Sequence, residues 1–288
     1  MGTSTINRGQ GGNSPLVPSW LDDKDTVAPS AESQDTKSPQ EGQTSEQDSG
    51  SDGQNKPQFK KADPKRFTAP RSNFTRFINS KSTGGGRNLR RAASSYVKHS
   101  TGGSQNATMR LGSARQSTAR LFSVLGGFAR SGVFATAQAF HLGDIVGKPA
   151  KEAFLRIMDL VCPDGGKTDD GIARNAYIEA ISTIPDLETK QIETLTASEL
   201  LAFTELYMTN VIMEKIENDV GNKIIALPDD IAQVDNLQGQ LKDLIKGCVS
   251  DAFAKVKIDI ANIDAKQTQK IADSVYKTAF DVMSNLED

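Results

Sequence analysis

An all-α helical domain, preceded by a long disordered N-terminal arm, is the fold class this 288-residue sequence predicts, on three observations. Apolar residues of the C-terminal half recur at three- and four-residue steps, as in Leu237, Leu241, Leu244, Ile245, Cys248, Ala252, Val256 and Ile260, the spacing of one helix face. Strand-like alternation is almost absent. Residues 1–57 are rich in Ser, Gln, Gly, Asp, Asn and Pro, with one compact apolar island from Pro15 to Leu21. That is too little apolar surface to offset the entropy of ordering the segment.

Three parts follow in order. Residues 1–57 form the acidic arm, which reads either as a solvating tail or as a tether handled by partners. Residues 58–86 read as a basic flexible linker, with Phe59, Phe67, Phe74 and Phe77 scattered across Pro64 and Pro70 and with Gly84-Gly85-Gly86 as a hinge. Residues 87–288 form the helical domain. Its first helix spans Asn88 to Lys98, with Leu89, Ala92, Ala93, Tyr96 and Val97 on one face. Gly102-Gly103-Ser104 stops it and starts another, and Thr108 to Phe128 repeats small residues and Arg. Pro149 suits a first helical position, with a stripe of Phe154, Leu155, Met158 and Val161 following before Pro163. A short helix from Ala173 to Ile184 ends at Pro185. Thr196-Ala197-Ser198-Glu199 fits a capping box, Asp235 starts the next helix, and Asp264-Ala265-Lys266-Gln267 caps the last.

The net charge of −2 conceals strong segregation. Residues 1–57 hold 4 basic and 9 acidic side chains, residues 58–130 hold 15 basic and 1 acidic, and residues 131–288 hold 15 basic and 26 acidic. A basic middle therefore lies between two acidic ends. Cys162 and Cys248 sit inside apolar helical patterns and read as reduced core residues of a cytoplasmic protein. The N-terminus has no apolar run of the signal-peptide kind. The stretch from Leu121 to Val146 is broken by Gly126, Gly127, Arg130, Gly132 and Asp144, which speaks against a membrane span.

Most catalytic patterns fail. Gly165-Gly166-Lys167-Thr168 resembles the end of a phosphate-binding loop, but Val161 stands where the pattern needs its first Gly, so a helix-to-helix turn is expected. His99 and His141 lie far apart in sequence, without neighbours of metal-ligand spacing. Asp164, Asp169 and Asp170 suit a cation or ordinary turns and caps. We expect no enzyme, no metal and no cofactor. The basic middle, with Lys60, Lys61, Lys65, Arg66, Arg71, Arg76, Arg87, Arg90 and Arg91, suits contact with nucleic acid through phosphate neutralisation. It equally suits docking on an acidic partner or on the acidic half of the same chain.

The tip Met1-Gly2-Thr3-Ser4 has Ile6 where N-myristoylation needs Ser or Thr. Gly2 does permit removal of Met1. The exposed α-amine, with a pKa of about 7.7–8.0, is partly neutral at pH 7, unlike a Lys amine, and is therefore a suitable nucleophile for conjugation.

The tip, the Gly-rich stretch after it and Ser14-Pro15-Leu16-Val17-Pro18-Ser19-Trp20 resemble the QatB family of the Qat antiphage defence system. So do Arg90-Arg91-Ala92, Tyr96-Val97, Gly102-Gly103-Ser104, Ala107 and Arg110-Leu111-Gly112. The resemblance spans about the first 130 residues and rests on general character over the acidic helices. It implies a bacterial cytoplasmic protein, off the membrane, whose main partner is a QueC-like enzyme (QatC). A P-loop ATPase (QatA) and a TatD-like nuclease (QatD) are its other partners. QueC-like enzymes activate a 7-carboxy-7-deazaguanine carboxylate with ATP for attack by an amine, and the resemblance implies that Gly2 supplies it. Thr3 and Ser4 would then be read by the enzyme, and Pro15, Leu16, Val17, Pro18, Trp20 and Leu21 would form a docking peptide. The alternative is an adaptor that recruits a nuclease or ATPase to nucleic acid through the basic middle.

Overall fold

The computed structural model describes residues 65–79, 85–221 and 231–286, all within the unit Gln58–Asp288. The arm, Lys60, Lys61 and Gly84 lie outside these residues. Among the described residues the architecture is all-α. Its helices are α1 (Thr68–Ile78), α2 (Gly85–Ser95), α3 (Ser104–Met109), α4 (Ser113–Ala139), α5 (Ala150–Val161), α6 (Thr168–Thr183), α7 (Ala197–Ile216), α8 (Ile231–Val256) and α9 (Thr268–Ser284). An isolated antiparallel bridge joins Pro149 to Gln191.

Helix α9 lies at the centre, packed along α8, α4, α3 and α2, while α6 packs on α7 and α7 on α8. Its inward stripe of Ala272, Val275, Tyr276, Ala279, Phe280 and Met283 is fully buried. Burying Val275, Tyr276, Phe280 and Met283 contributes about 1.5–3 kcal/mol each. The Thr118 hydroxyl donates to the Ala114 carbonyl at 3.0 Å and so accepts from the Tyr276 phenol at 2.8 Å, which satisfies the polar end of a buried ring.

Several elements differ from the sequence reading. Part of the expected linker is α1, because Phe74, Phe77 and Ile78 share a face and are buried. Pro70, which reads as linker punctuation, falls in the first turn, where its missing N–H has no intrahelical acceptor to lose. Gly85 and Gly86 likewise belong to the first turn of α2 rather than to a hinge. The expected helix from Thr108 to Phe128 is split into α3 and α4 at Gly112, whose φ is +54°. Pro149 is the N-cap of α5, since the chain around it is held by the bridge to Gln191, with the Ala150 N–H donating to the Lys190 carbonyl at 2.8 Å. Leu155 is 44% exposed, and Ala150, Ala153, Phe154, Ile157 and Val161 form the buried stripe instead.

Helix α6 starts at Thr168, ahead of Ala173, because Asp170 accepts from the Lys167 N–H at 3.1 Å and satisfies that terminus. Helix α8 starts before Asp235. At the other end Ile260 leaves α8 for a separate turn, capped by Asp259, which accepts from the Ala261 N–H. Asp264 closes a turn with Lys266 and Gln267, and α9 begins at Thr268. The capping box at Thr196 is present as expected: Thr196 N–H donates to Glu199 at 2.8 Å and Glu199 N–H donates to the Thr196 hydroxyl at 3.3 Å.

Helix α4 kinks at Gly132, where φ is 82° and ψ 163°, a conformation essentially restricted to glycine. The break turns Val133 inward and leaves Phe134 63% exposed. Gly132→Ala should therefore lower stability by about 1–3 kcal/mol, measured as the shift in urea midpoint at unchanged slope.

Candidate functional site

Two features stand out once the helices are packed: a polar seam where the basic elements meet the acidic ones, and an apolar cleft beside it.

The seam joins two π-helical turns, Tyr96–Thr101 after α2 and Glu217–Gly221 after α7. The buried Tyr96 phenol donates to Asp219 at 2.8 Å. Burial, and then the Asp219 carboxylate, hold its pKa well above the ordinary phenol value. Asp219 also faces Lys215 at 3.6 Å, and Lys215 reaches Asp169 on α6 at 3.2 Å. Asp169 in turn lies against Gly112, where an added Cβ would sit 2.0 Å from its Oδ2. Gly112 thus admits a carboxylate that any side chain would displace. Arg66 borders the same cluster, its pKa lowered by burial and then by Arg110.

A second set of polar contacts lies along α9. Arg115 grips Asp273 through two bonds of 2.7 and 2.6 Å, Ser104 donates to Asp281, and the Ser94 hydroxyl donates to the Ser284 carbonyl at 2.6 Å. Two parallel bonds to a carboxylate are the strong form of this contact.

The cleft, about 640 Å³, lies between α1, α6, α7 and α8. Phe74, Phe77, Ile172, Ile216 and Leu237 form its apolar wall, and Glu214 and Glu217 stand among them. Burial, then Glu179, raise the Glu214 pKa, while burial, then Glu214, raise that of Glu217. The Gln238 amide donates to Glu217 at 3.2 Å. Among the described residues lining the cleft there is no His, Cys, Lys or Arg. What this arrangement can do is hold an apolar group beside negative charge. Both cysteines lie elsewhere, buried and unpaired. Burial raises the Cys162 thiol and pushes Cys248 up to about 11, which makes both poor nucleophiles at neutral pH.

Most residues singled out from sequence lie outside these two features. Gly2, Thr3, Ser4, Pro15, Leu16, Val17, Pro18, Trp20, Leu21, Lys60 and Lys61 lie outside the described residues. The guanidinium groups of Arg66 and Arg71 stand over the Phe67 ring, 4.8 and 5.5 Å from its centroid. Lys65, Arg76, Arg87, Arg90 and Arg91 are exposed. Asp164 and Asp170, weighed as cation ligands, accept backbone N–H bonds from Gly166 and Lys167, and Asp169 pairs with Lys215. Sequence reasoning missed the seam and the cleft carboxylates. Ile212, Ile216 and Val220, at four-residue steps, signal that the helical path continues past Ile212 and places Lys215 one turn from Asp219.

The family model for the Qat anti-phage system associated protein QatB matches residues 102–283, from the start of α3 to the end of α9. The chain belongs to the QatB family. It is accordingly a component of the Qat antiphage defence system and a partner of the other Qat components. The match to QatB lies mostly on the acidic helices, where the residue-by-residue resemblance is weakest. No curated protein and no solved structure matches the chain. Among the described residues no helix is long and apolar enough to cross a membrane.

Two measurements probe the site. Asp273→Ala leaves the Arg115 guanidinium without its fork partner and should cost about 2 kcal/mol in urea unfolding. Glu217 holds its proton more tightly when folded than when unfolded, so stability is lost as pH rises through its raised pKa. Glu217→Gln should raise the melting temperature at pH 7, and the gain should vanish as pH falls to the ordinary carboxyl value of 4.5.

Proposed function

We propose that this QatB-family chain is a non-enzymatic protein substrate of the QueC-like Qat enzyme, which conjugates a 7-deazaguanine group to Gly2. Family membership supports a partner within the Qat system, and the observation that carries the reading is a glycine at position 2, in Met1-Gly2-Thr3-Ser4. Removal of Met1 frees the α-amine. The enzyme activates the 7-carboxy-7-deazaguanine carboxylate as its adenylate, with pyrophosphate leaving. The Gly2 nitrogen then attacks the activated carbonyl, the amide C–N bond forms, the C–O bond to AMP breaks and the amine gives up a proton. This chain provides the nucleophile, and the partner provides the chemistry.

The requirements on the substrate are small. Glycine puts no side chain in the way of the incoming carbonyl, and Thr3 and Ser4 are short enough to be read at the entrance of an active site. Pro15, Leu16, Val17, Pro18, Trp20 and Leu21 supply an apolar docking peptide. A reactive tip tethered to a body docked on its partner has a raised effective concentration at that partner's active site.

Intact mass of the chain, expressed with and without the QueC-like enzyme, tests the proposal. The expected result is a gain confined to the coexpressed sample, on the N-terminal peptide, and lost in Gly2→Phe. An identical mass in both samples, with or without Met1, refutes it.

A further inference from the structure

Helix α2 carries Arg87, Arg90 and Arg91 in its first two turns, at spacings of three and four residues that bring side chains to one side of a helix. All three are exposed, and none has an ion pair or side-chain hydrogen bond among the described residues. The stripe works against the helix that bears it. Arg87 and Arg91 are like charges one turn apart. They also lie near the helix end where the peptide dipoles already present positive charge, with no acidic residue in the first turn.

Other basic side chains of the same segment have work inside the fold: Arg115 on Asp273, Arg130 on the Ile263 carbonyl, Arg66 over Phe67. The α2 stripe has no such contact, and its far side, with Leu89, Ala92 and Ala93, is the buried one.

We propose that the outward stripe of α2, formed by Arg87, Arg90 and Arg91, binds the phosphate backbone of nucleic acid. Guanidinium forks match phosphate oxygens. A protein partner is the other candidate for such a stripe, but protein interfaces are built around an apolar centre. Among the described residues the large exposed apolar side chains, Phe134, Val146, Leu155, Leu160 and Ile178, all lie on other elements. A polar, strongly positive face without an apolar centre is the composition of a nucleic-acid interface. Contacts of this kind set position without reading bases, so binding is tolerant of sequence and weakened by salt. The inference is independent of the conjugation proposal, since it concerns the chain expressed without its Qat partners.

The test is fluorescence anisotropy of the full chain with a fluorescein-labelled, mixed-sequence DNA duplex across a range of NaCl concentrations. The wild type should bind at low salt and weaken steadily as salt rises. Replacing all three arginines together (Arg87→Gln, Arg90→Gln, Arg91→Gln) should reduce the slope of log affinity against log salt by about 0.9 per lost contact, ~2.7 in all. Circular dichroism checks that this surface variant is folded. Lys246→Gln, at an exposed position of α8, should keep the wild-type slope. Failure of the wild type to bind the duplex at low salt overturns the proposal, as does a triple variant with the wild-type slope. Labelled poly-L-glutamate bound as tightly as the duplex, and lost in the same variant, also overturns it and assigns the stripe to an acidic protein.

Discussion

The fold depends on one helix face. Ala272, Val275, Tyr276, Ala279, Phe280 and Met283 of α9 are buried against helices from both the basic and the acidic parts of the chain. Removing that face would leave α2, α3, α4 and α8 without a common neighbour. The polar contacts are arranged around it. Arg115 on Asp273, Ser104 on Asp281 and Ser94 on the Ser284 carbonyl run along α9 from its second turn to its end. The apolar stripe contributes non-directional burial, and these bonds pair α9 with particular basic helices.

Charge segregation acquires a physical meaning from this arrangement. A basic segment followed by an acidic one can fold back on itself, and Arg115–Asp273 shows that it does so, as does Arg66 near the Tyr96–Asp219 bond. The same fold also sorts the cations. Some are spent on carboxylates, carbonyls and aromatic rings inside the molecule, and the stripe on α2 is left facing outward. Membership of the QatB family gives both sets a context. The internal set holds together the body of a Qat component, and the outward set is the face proposed to bind phosphate.

Much of the fold was legible in the sequence because long apolar periods and strong caps dominate it. The box at Thr196, the stop at Gly102 and the stripe from Leu237 to Val256 could be read without tertiary information. Starts and breaks set by tertiary contact could not. Pro149 is a cap because the chain there pairs with Gln191, and Gly112 breaks a helix partly because Asp169 sits where a Cβ would be. Helix α1 was hidden by Pro70, a breaker by composition that is harmless in a first turn. The arginines of α2 stand out in the sequence by charge, but their exposure does not. Nothing in their local pattern separated them from Arg66 or Arg115, which are distinguished by a ring or carboxylate brought from elsewhere in the sequence. The cleft pair Glu214 and Glu217 was illegible for the same reason, since its raised pKa values arise from burial among three other helices.

Hydrogen exchange of the full chain, followed by mass spectrometry, tests most directly whether α9 organises both charge classes into one body. If it does, amides of α9 exchange slowest, and those of Leu89 to Ser95 on α2 fall in the same protected class as α8. Protection confined to α8 and α9, with α2 exchanging at the rate of an unstructured segment, would contradict the account.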